Sequence, residues 1–202
     1  MRGVITGLVV CVAASAAQAK EPHRSAEAIK TLDQFGHCVA EQRSDAIKFL
    51  STLPESKEEN KQAVRISTSS CLHGGMLKFR ANLLRGTVAE LLLKEDQKAL
   101  HRAGVKYTFD APSGEALSSV PDRQRTVIAL VLFGQCVAHE KPEAVKLLLN
   151  TPVESRAEFG AFAPLKDAMT KCSTVDFKAD RFQMRGYLAE GAYRNVVIPT
   201  SG

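Results

Sequence analysis

Three residue types recur in this chain at matched positions and could do chemistry. Cys38 and Cys71 are answered by Cys136 and Cys172, and Arg85 and Glu90 by Arg185 and Glu190. Thiols can close disulfides, work as a redox pair or hold zinc; guanidinium groups can grip a carboxylate or phosphate through two parallel hydrogen bonds; paired carboxylates can act as general acid and base. Each possibility makes a different demand on the neighbouring residues.

Zinc would need Cys38 and Cys71 together with His37 and His73, a tetrahedral donor set. The second set keeps both cysteines but carries Gln135 and Thr174 where the histidines would stand. A thiol oxidoreductase would more plausibly show Cys-x-x-Cys, which is absent. The expectation is therefore no metal and no cofactor, with the four cysteines as a disulfide framework. Three pairings are possible, and the matched spacing favours Cys38 with Cys71 and Cys136 with Cys172.

Arg85 and Arg185 each precede a glycine inside an apolar helical stretch, where glycine costs about 1 kcal/mol against alanine. Gly86 with Ala89, and Gly186 with Ala189, stand three apart on one helix face, where small residues admit the backbone of another helix. The arginines are then either pinned to carboxylates or helix-end carbonyls, or serve as anion hooks in a cleft. Glu90 and Glu190 lie five positions after the arginines, about 140° round the helix, so each is better placed to meet the other arginine than its own. A two-carboxylate active site from Glu90 and Glu190 has no further support, because paired acids need separations that spacing alone does not supply. His23, His101 and His139 have no partner at a recurring spacing. Gly-x-Ser-x-Gly, His-Glu-x-x-His and phosphate-cradling glycine loops are absent, so the readings as hydrolase or nucleotide binder lose their usual signatures.

The segments that hold these residues begin after residues 1–19, MRGVITGLVVCVAASAAQA, which have the charged, apolar and Ala-x-Ala order of a secretory leader with cleavage before Lys20. Cleavage removes Cys11, makes the cysteine count even, and places the remainder in an oxidising compartment, periplasmic or secreted. The apolar run is too short to cross a bilayer, and no membrane span is expected. A formal charge of +5 without a basic block, no Trp and only three Tyr speak against nucleic acid as a partner.

Laid on itself, the chain shows an internal duplication. Phe35-Gly36-His37-Cys38-Val39-Ala40 recurs as Phe133-Gly134-Gln135-Cys136-Val137-Ala138, and Ala46-Ile47-Lys48-Phe49-Leu50 as Ala144-Val145-Lys146-Leu147-Leu148 at the same offset. Pro54, Ser56 and Glu59 answer to Pro152, Ser155 and Glu158, and Arg85-Gly86-x-x-Ala89-Glu90 to Arg185-Gly186-x-x-Ala189-Glu190. Repeats this small bury their apolar faces poorly alone, which favours packing one on the other.

Apolar spacings of three and four predict a first helix in each copy, ending near Gln42 or Glu140. Ser44 as N-cap and Pro142 in the first turn open a short second helix. Ser56-x-x-Glu59 and Ser155-x-x-Glu158 read as capping boxes that start a third, interrupted in the second copy by Pro164. A fourth carries the Arg-Gly element. Alternation at Leu77-Lys78-Phe79 and Val175-Asp176-Phe177 would allow a short strand pairing.

This order of motifs resembles a repeat of small exported bacterial proteins with no known activity. The resemblance implies a secreted all-helical domain and transfers no functional residue. The expected architecture is all-α: two tandem four-helix repeats packed together, each pinned by one disulfide, with residues 20–96 and 121–196 as the repeats, 97–120 as a linker and 197–202 as a tail. The expected function is a non-catalytic periplasmic module that binds a protein or a small ligand. The alternative is an enzyme using the Arg/Glu pairs or the cysteines between the repeats.

Overall fold

The computed structural model describes residues 25–67, 71, 79–94, 105–173 and 177–198; the leader-like segment and His73 lie outside them. Among the described residues there are helices and no strands: α1 (Ala26–Glu41), α2 (Arg43–Leu50), α3 (Lys57–Ser67), α4 (Ala81–Lys94), α5 (Gly114–Ser118), α6 (Asp122–Glu140), α7 (Pro142–Leu149), α8 (Arg156–Ala161), α9 (Lys166–Cys172) and α10 (Arg181–Val197). The strand pairing considered above falls mostly on undescribed residues. Phe79 and Phe177, at its edges, pack on Phe35 and Phe133 at ring separations of 5.5 and 5.0 Å.

Local chemistry explains the ends. The Ala28 N–H donates to Ser25 Oγ at the start of α1, and Asp180 and Gln183 form a reciprocal capping box at the start of α10. Pro142 occupies the first turn of α7, where its missing N–H costs nothing. Ser44 is not the cap of α2: that helix begins one residue earlier, with Gln42 closing α1 and opening α2 in the same turn. The third helix of the second half does break at Pro164, into α8, a 3-10 turn over Ala163–Leu165, and α9.

The alignment of α2 with α7 shifts by one residue. Phe49 and Leu50 correspond in space to Leu148 and Leu149, all buried, whereas Leu147, matched to Phe49 by sequence, is 58% exposed. α6 carries one more residue than α1 between its cysteine and its end, the exposed His139. That extra residue moves the following helix by one position, and burial follows the new register.

Two helices form the centre. α4 buries Leu83 to Glu90 without a break, and α10 buries residues on every side, so neither has the single apolar stripe of a surface helix. They cross where Gly86 meets Gly186: a Cβ on Gly86 would stand 2.2 Å from the Gly186 Cα. α10 also crosses α6 closely, with a Cβ on Gly134 falling 1.9 Å from the Tyr187 carbonyl oxygen. Apolar clusters fill each half, around Phe35, Val39, Phe49 and Leu84 in one and Phe133, Val137, Leu148 and Leu188 in the other. A third cluster places Phe109 against Val127, Ile128, Val131 and Tyr187. The stretch 97–120, read above as a linker, thus contributes a core side chain.

Disulfides join Cys38 to Cys71 and Cys136 to Cys172, with Cα–Cα distances of 5.5 and 5.8 Å. Each ties the first helix of its half to the stretch leading into the central helix, closing loops worth about 3–4 kcal/mol in the chain-entropy account.

The Gly86–Gly186 crossing makes an asymmetric prediction. Gly86→Ala forces backbone apart and should destabilise by about 2 kcal/mol or more in urea unfolding. In Gly186→Ala the new Cβ meets the Gly86 Cα at 3.3 Å, a contact that small shifts relieve, and the helix-propensity gain of about 1 kcal/mol should leave it near neutral.

Candidate functional site

The arginines and glutamates singled out above meet across the α4–α10 crossing. Arg85 reaches from α4 to Glu190 on α10, its Nε donating at 3.0 Å and its Nη2 at 2.6 Å to Oε1. Arg185 reaches from α10 to Glu90 on α4, its Nε donating at 2.8 Å to Oε2 and its Nη2 at 2.7 Å to Oε1. Both pairs are bidentate, the geometry that suits a planar guanidinium and a carboxylate. Each glutamate serves the opposite arginine because five helical positions carry it round to the other side.

The outer edge of each guanidinium caps the end of the second helix in its own half. Arg85 donates to the carbonyl oxygens of Phe49, Leu50 and Thr52 at 3.2, 2.9 and 3.0 Å. Arg185 donates to those of Leu148, Leu149 and Thr151 at 3.1, 3.0 and 2.9 Å. The Phe49 and Leu148 carbonyls also accept the N–H and hydroxyl of Thr52 and Thr151, and this end of each helix is the negative end of its dipole, where a buried cation is favoured.

A second carboxylate completes each cluster. Glu59 Oε1 accepts from Arg85 Nη1 at 3.2 Å, and Glu158 Oε1 from Arg185 Nη1 at 3.1 Å. The other oxygen of each accepts a backbone N–H, from Glu55 at 2.7 Å and from Glu154 at 3.0 Å. Here the capping-box expectation is half corrected. Ser56 and Ser155 do accept the N–H of Glu59 and Glu158, but each glutamate reaches back to the residue before the serine. Glu55 and Glu154 turn that N–H inward by adopting left-handed backbone, φ 57° and 59°, a conformation that costs a non-glycine residue of order 1 kcal/mol. The strain is held at the same place in both halves.

Arg85, Arg185, Glu59, Glu158 and Glu190 are all at most 2% exposed, and Glu90 is 6% exposed. Every guanidinium nitrogen of the two arginines donates to a protein oxygen. Burial would lower the Arg85 and Arg185 pKa values, but the carboxylates outweigh it and hold both above the ordinary value. An anion from solution would have to displace a partner carboxylate.

The halves differ in how the second carboxylate is balanced. Lys94 lies one turn beyond Glu90 and donates to it at 2.7 Å, so two cations face Glu90 and Glu158. The matching Arg194 turns away: its guanidinium stacks 4.4 Å over the Phe109 ring and donates to Gln135, Thr108 and the Phe109 carbonyl. The Arg85 guanidinium also lies over the Phe109 ring, at 5.4 Å. Glu59 and Glu190 therefore share Arg85. Desolvation pushes the Glu59 carboxyl up to about 7, against the opposing pull of Arg85 and the Glu55 N–H.

Cys38 and Cys71 are bonded to each other, so neither is a free thiolate beside His37. Openings occur near the described side chains. One of about 230 Å³ lies at the seam beside Arg185, lined by Asp33, His37, Glu90 and Lys94. Another of about 600 Å³ runs between α4, α7 and the end of α10. A further one, about 870 Å³, lies within the second half, against α6, α8, α9 and α10.

No family model, no curated protein and no solved structure matches this chain.

Spacing pointed to Arg85, Arg185, Glu90 and Glu190 and to their crossed pairing. It missed the second role of Glu59 and Glu158, whose signal was a capping pattern; it missed Phe109, which has no partner at a recurring spacing, and the diversion of Arg194, which matches Lys94 in position but not in contacts.

The raised Glu59 value has a stability consequence. Its ordinary value is 4.5, so between that pH and about 7 the folded state holds a proton the unfolded state has lost, and stability falls as pH rises through this window. Glu59→Gln removes the titration. Urea unfolding at stepped pH should show the wild type losing on the order of 3 kcal/mol relative to the variant across that window.

Proposed function

We propose that this protein is an exported, non-catalytic binding module made from two copies of one helical unit. The observation that carries this reading is the division of labour between the buried charges and the openings. The arginines and glutamates at the seam are consumed in holding helices together, while an opening of about 870 Å³, lined mostly by apolar side chains, lies to one side of them. Catalysis requires polar groups that strengthen their contacts as charge develops in a transition state. Groups that cap helix ends and neutralise one another are committed to the folded state instead.

Export is supported by the leader-like order of residues 1–19 and by two disulfides, which persist in oxidising compartments. Among the described residues, no helix is long and apolar enough to cross a membrane. The matched contacts of Arg85 and Arg185 with helix ends and capping glutamates support a common origin for the two halves.

A second reading, an enzyme at the seam, rests on the small opening beside Arg185. Asp33 and His37 stand 3.7 Å apart there, and burial raises the Asp33 carboxyl above its ordinary value. Both are partly exposed, as an acid–base pair would need to be. An activity abolished by His37→Ala with unchanged stability would favour this reading over the first.

The binding reading is tested on protein recovered from its own host. N-terminal sequencing should begin at Lys20, and native mass spectrometry should show the chain carrying a non-covalent companion. A chain that starts at Met1, or one that is always bare, contradicts it.

A further inference from the structure

The two halves share a frame, and the second carries an aromatic groove beside it. Its floor is the buried Phe133 and Met184, and its wall includes Phe162 and Phe177. Phe159 stands at the lip, 67% exposed, a large apolar side chain in water where burial would be worth about 2 kcal/mol. At the corresponding positions of the first half, Phe159 and Phe162 are replaced by Asn60 and Ala63. The break at Pro164 belongs to the same difference. α3 runs unbroken from Lys57 to Ser67, whereas groove residues in the second half come from α8, the 3-10 turn and α9 on either side of the break.

Charge completes the pattern. Among the described residues, the charged side chains lining the groove are Lys166 and Arg181, both cationic. Arg181 corresponds to Ala81 in the first half, so this cation is also peculiar to the second. Its guanidinium lies 5.6 Å over the Phe159 ring, and its pairing with Glu154 is a loose contact of 3.5 Å with the arginine 43% exposed. Exposed pairs of this kind contribute little and exchange readily for a better anion.

Size decides the class of occupant. A volume of about 870 Å³ falls within the usual span for small-molecule sites, roughly 300–1,000 Å³. A stable protein partner would instead need roughly 800 Å² of complementary surface on each side. Phenylalanine and methionine suit a flexible acyl chain, because the thioethers adapt to its kinks while the rings supply area.

We propose that this groove binds the monomer of a long-chain carboxylate, with its acyl chain on Phe159, Phe162 and Met184 and its head group held by Lys166 and Arg181. The proposal rests on the binding-module reading and narrows its ligand to a single-chain amphiphile with an anionic head.

The test is calorimetric titration of the purified protein with sodium dodecanoate below its micellar concentration, beside dodecyltrimethylammonium and phosphatidylglycerol vesicles. One dodecanoate per chain is expected. Lys166→Gln combined with Arg181→Gln should weaken it about tenfold, the loss of roughly 1.4 kcal/mol of head-group interaction. Phe159→Asn, which restores the first-half residue at an exposed position, should weaken it by a similar factor with unchanged thermal unfolding. Absence of saturable dodecanoate binding, equal binding of the ammonium amphiphile, indifference to all three substitutions, or binding to vesicles without binding of the monomer would each overturn the proposal. If host-derived protein carries a companion but dodecanoate fails, the groove assignment falls and the binding-module reading stands; if host-derived protein is bare, that broader reading fails instead.

Discussion

The structure depends on two guanidinium groups buried where two central helices cross. Each arginine joins a carboxylate on the opposite helix, the carbonyl end of a short helix in its own half, and the glutamate that begins the next helix. Burying a charge is costly unless it is paired and fully hydrogen-bonded. Here both conditions are met, and meeting them fixes the position of every element the charge touches. The glycine crossing, the left-handed turns at Glu55 and Glu154, and the chain direction after α2 and α7 all follow from bringing carboxylates and carbonyls within reach of one planar group.

This arrangement explains why the central helices tolerate glycine in their middle. Without close approach at Gly86 and Gly186 the arginine of one helix could not span to the glutamate of the other, so the loss in helix propensity is offset by two bidentate pairs. It also explains where the halves are free to differ. Lys94 balances Glu90, whereas Arg194 is diverted to Phe109, leaving that cluster short of a cation; burial there raises the Glu59 carboxyl. Away from the crossing, the third helix of the second half breaks and gains aromatic residues without disturbing the frame.

Much of this was legible in the residues. Spacing of apolar positions indicated α1, α6 and the central helices, and matched cysteines indicated both disulfides. The helical angle between Arg85 and Glu90 indicated that each glutamate is poorly placed for its own arginine and better placed for the other. What was not legible has physical causes. Identity of residue type aligned Phe49 with Leu147, but one added residue at the end of α6 rotates the following helix, and only burial reveals the new register. Phe109 lies in a stretch with turn-forming composition, and its place beside two guanidinium groups depends on contacts distant in sequence. Glu59 and Glu158 were visible as caps because capping is local, while their hold on the arginines is not. The aromatic groove was hidden for the same reason: its side chains come from several segments with no common period.

A double-mutant cycle on Arg85→Met and Glu190→Gln tests the central claim most directly. If the buried crossed pair holds the two central helices together, Arg85→Met strands Glu190 beside Glu59 and costs about 3–5 kcal/mol, while Glu190→Gln, which leaves Arg85 to Glu59, costs less. The double variant should then cost at least about 2 kcal/mol less than the sum. Single costs that simply add, within about 0.5 kcal/mol, would mean the two residues act independently and would contradict the account.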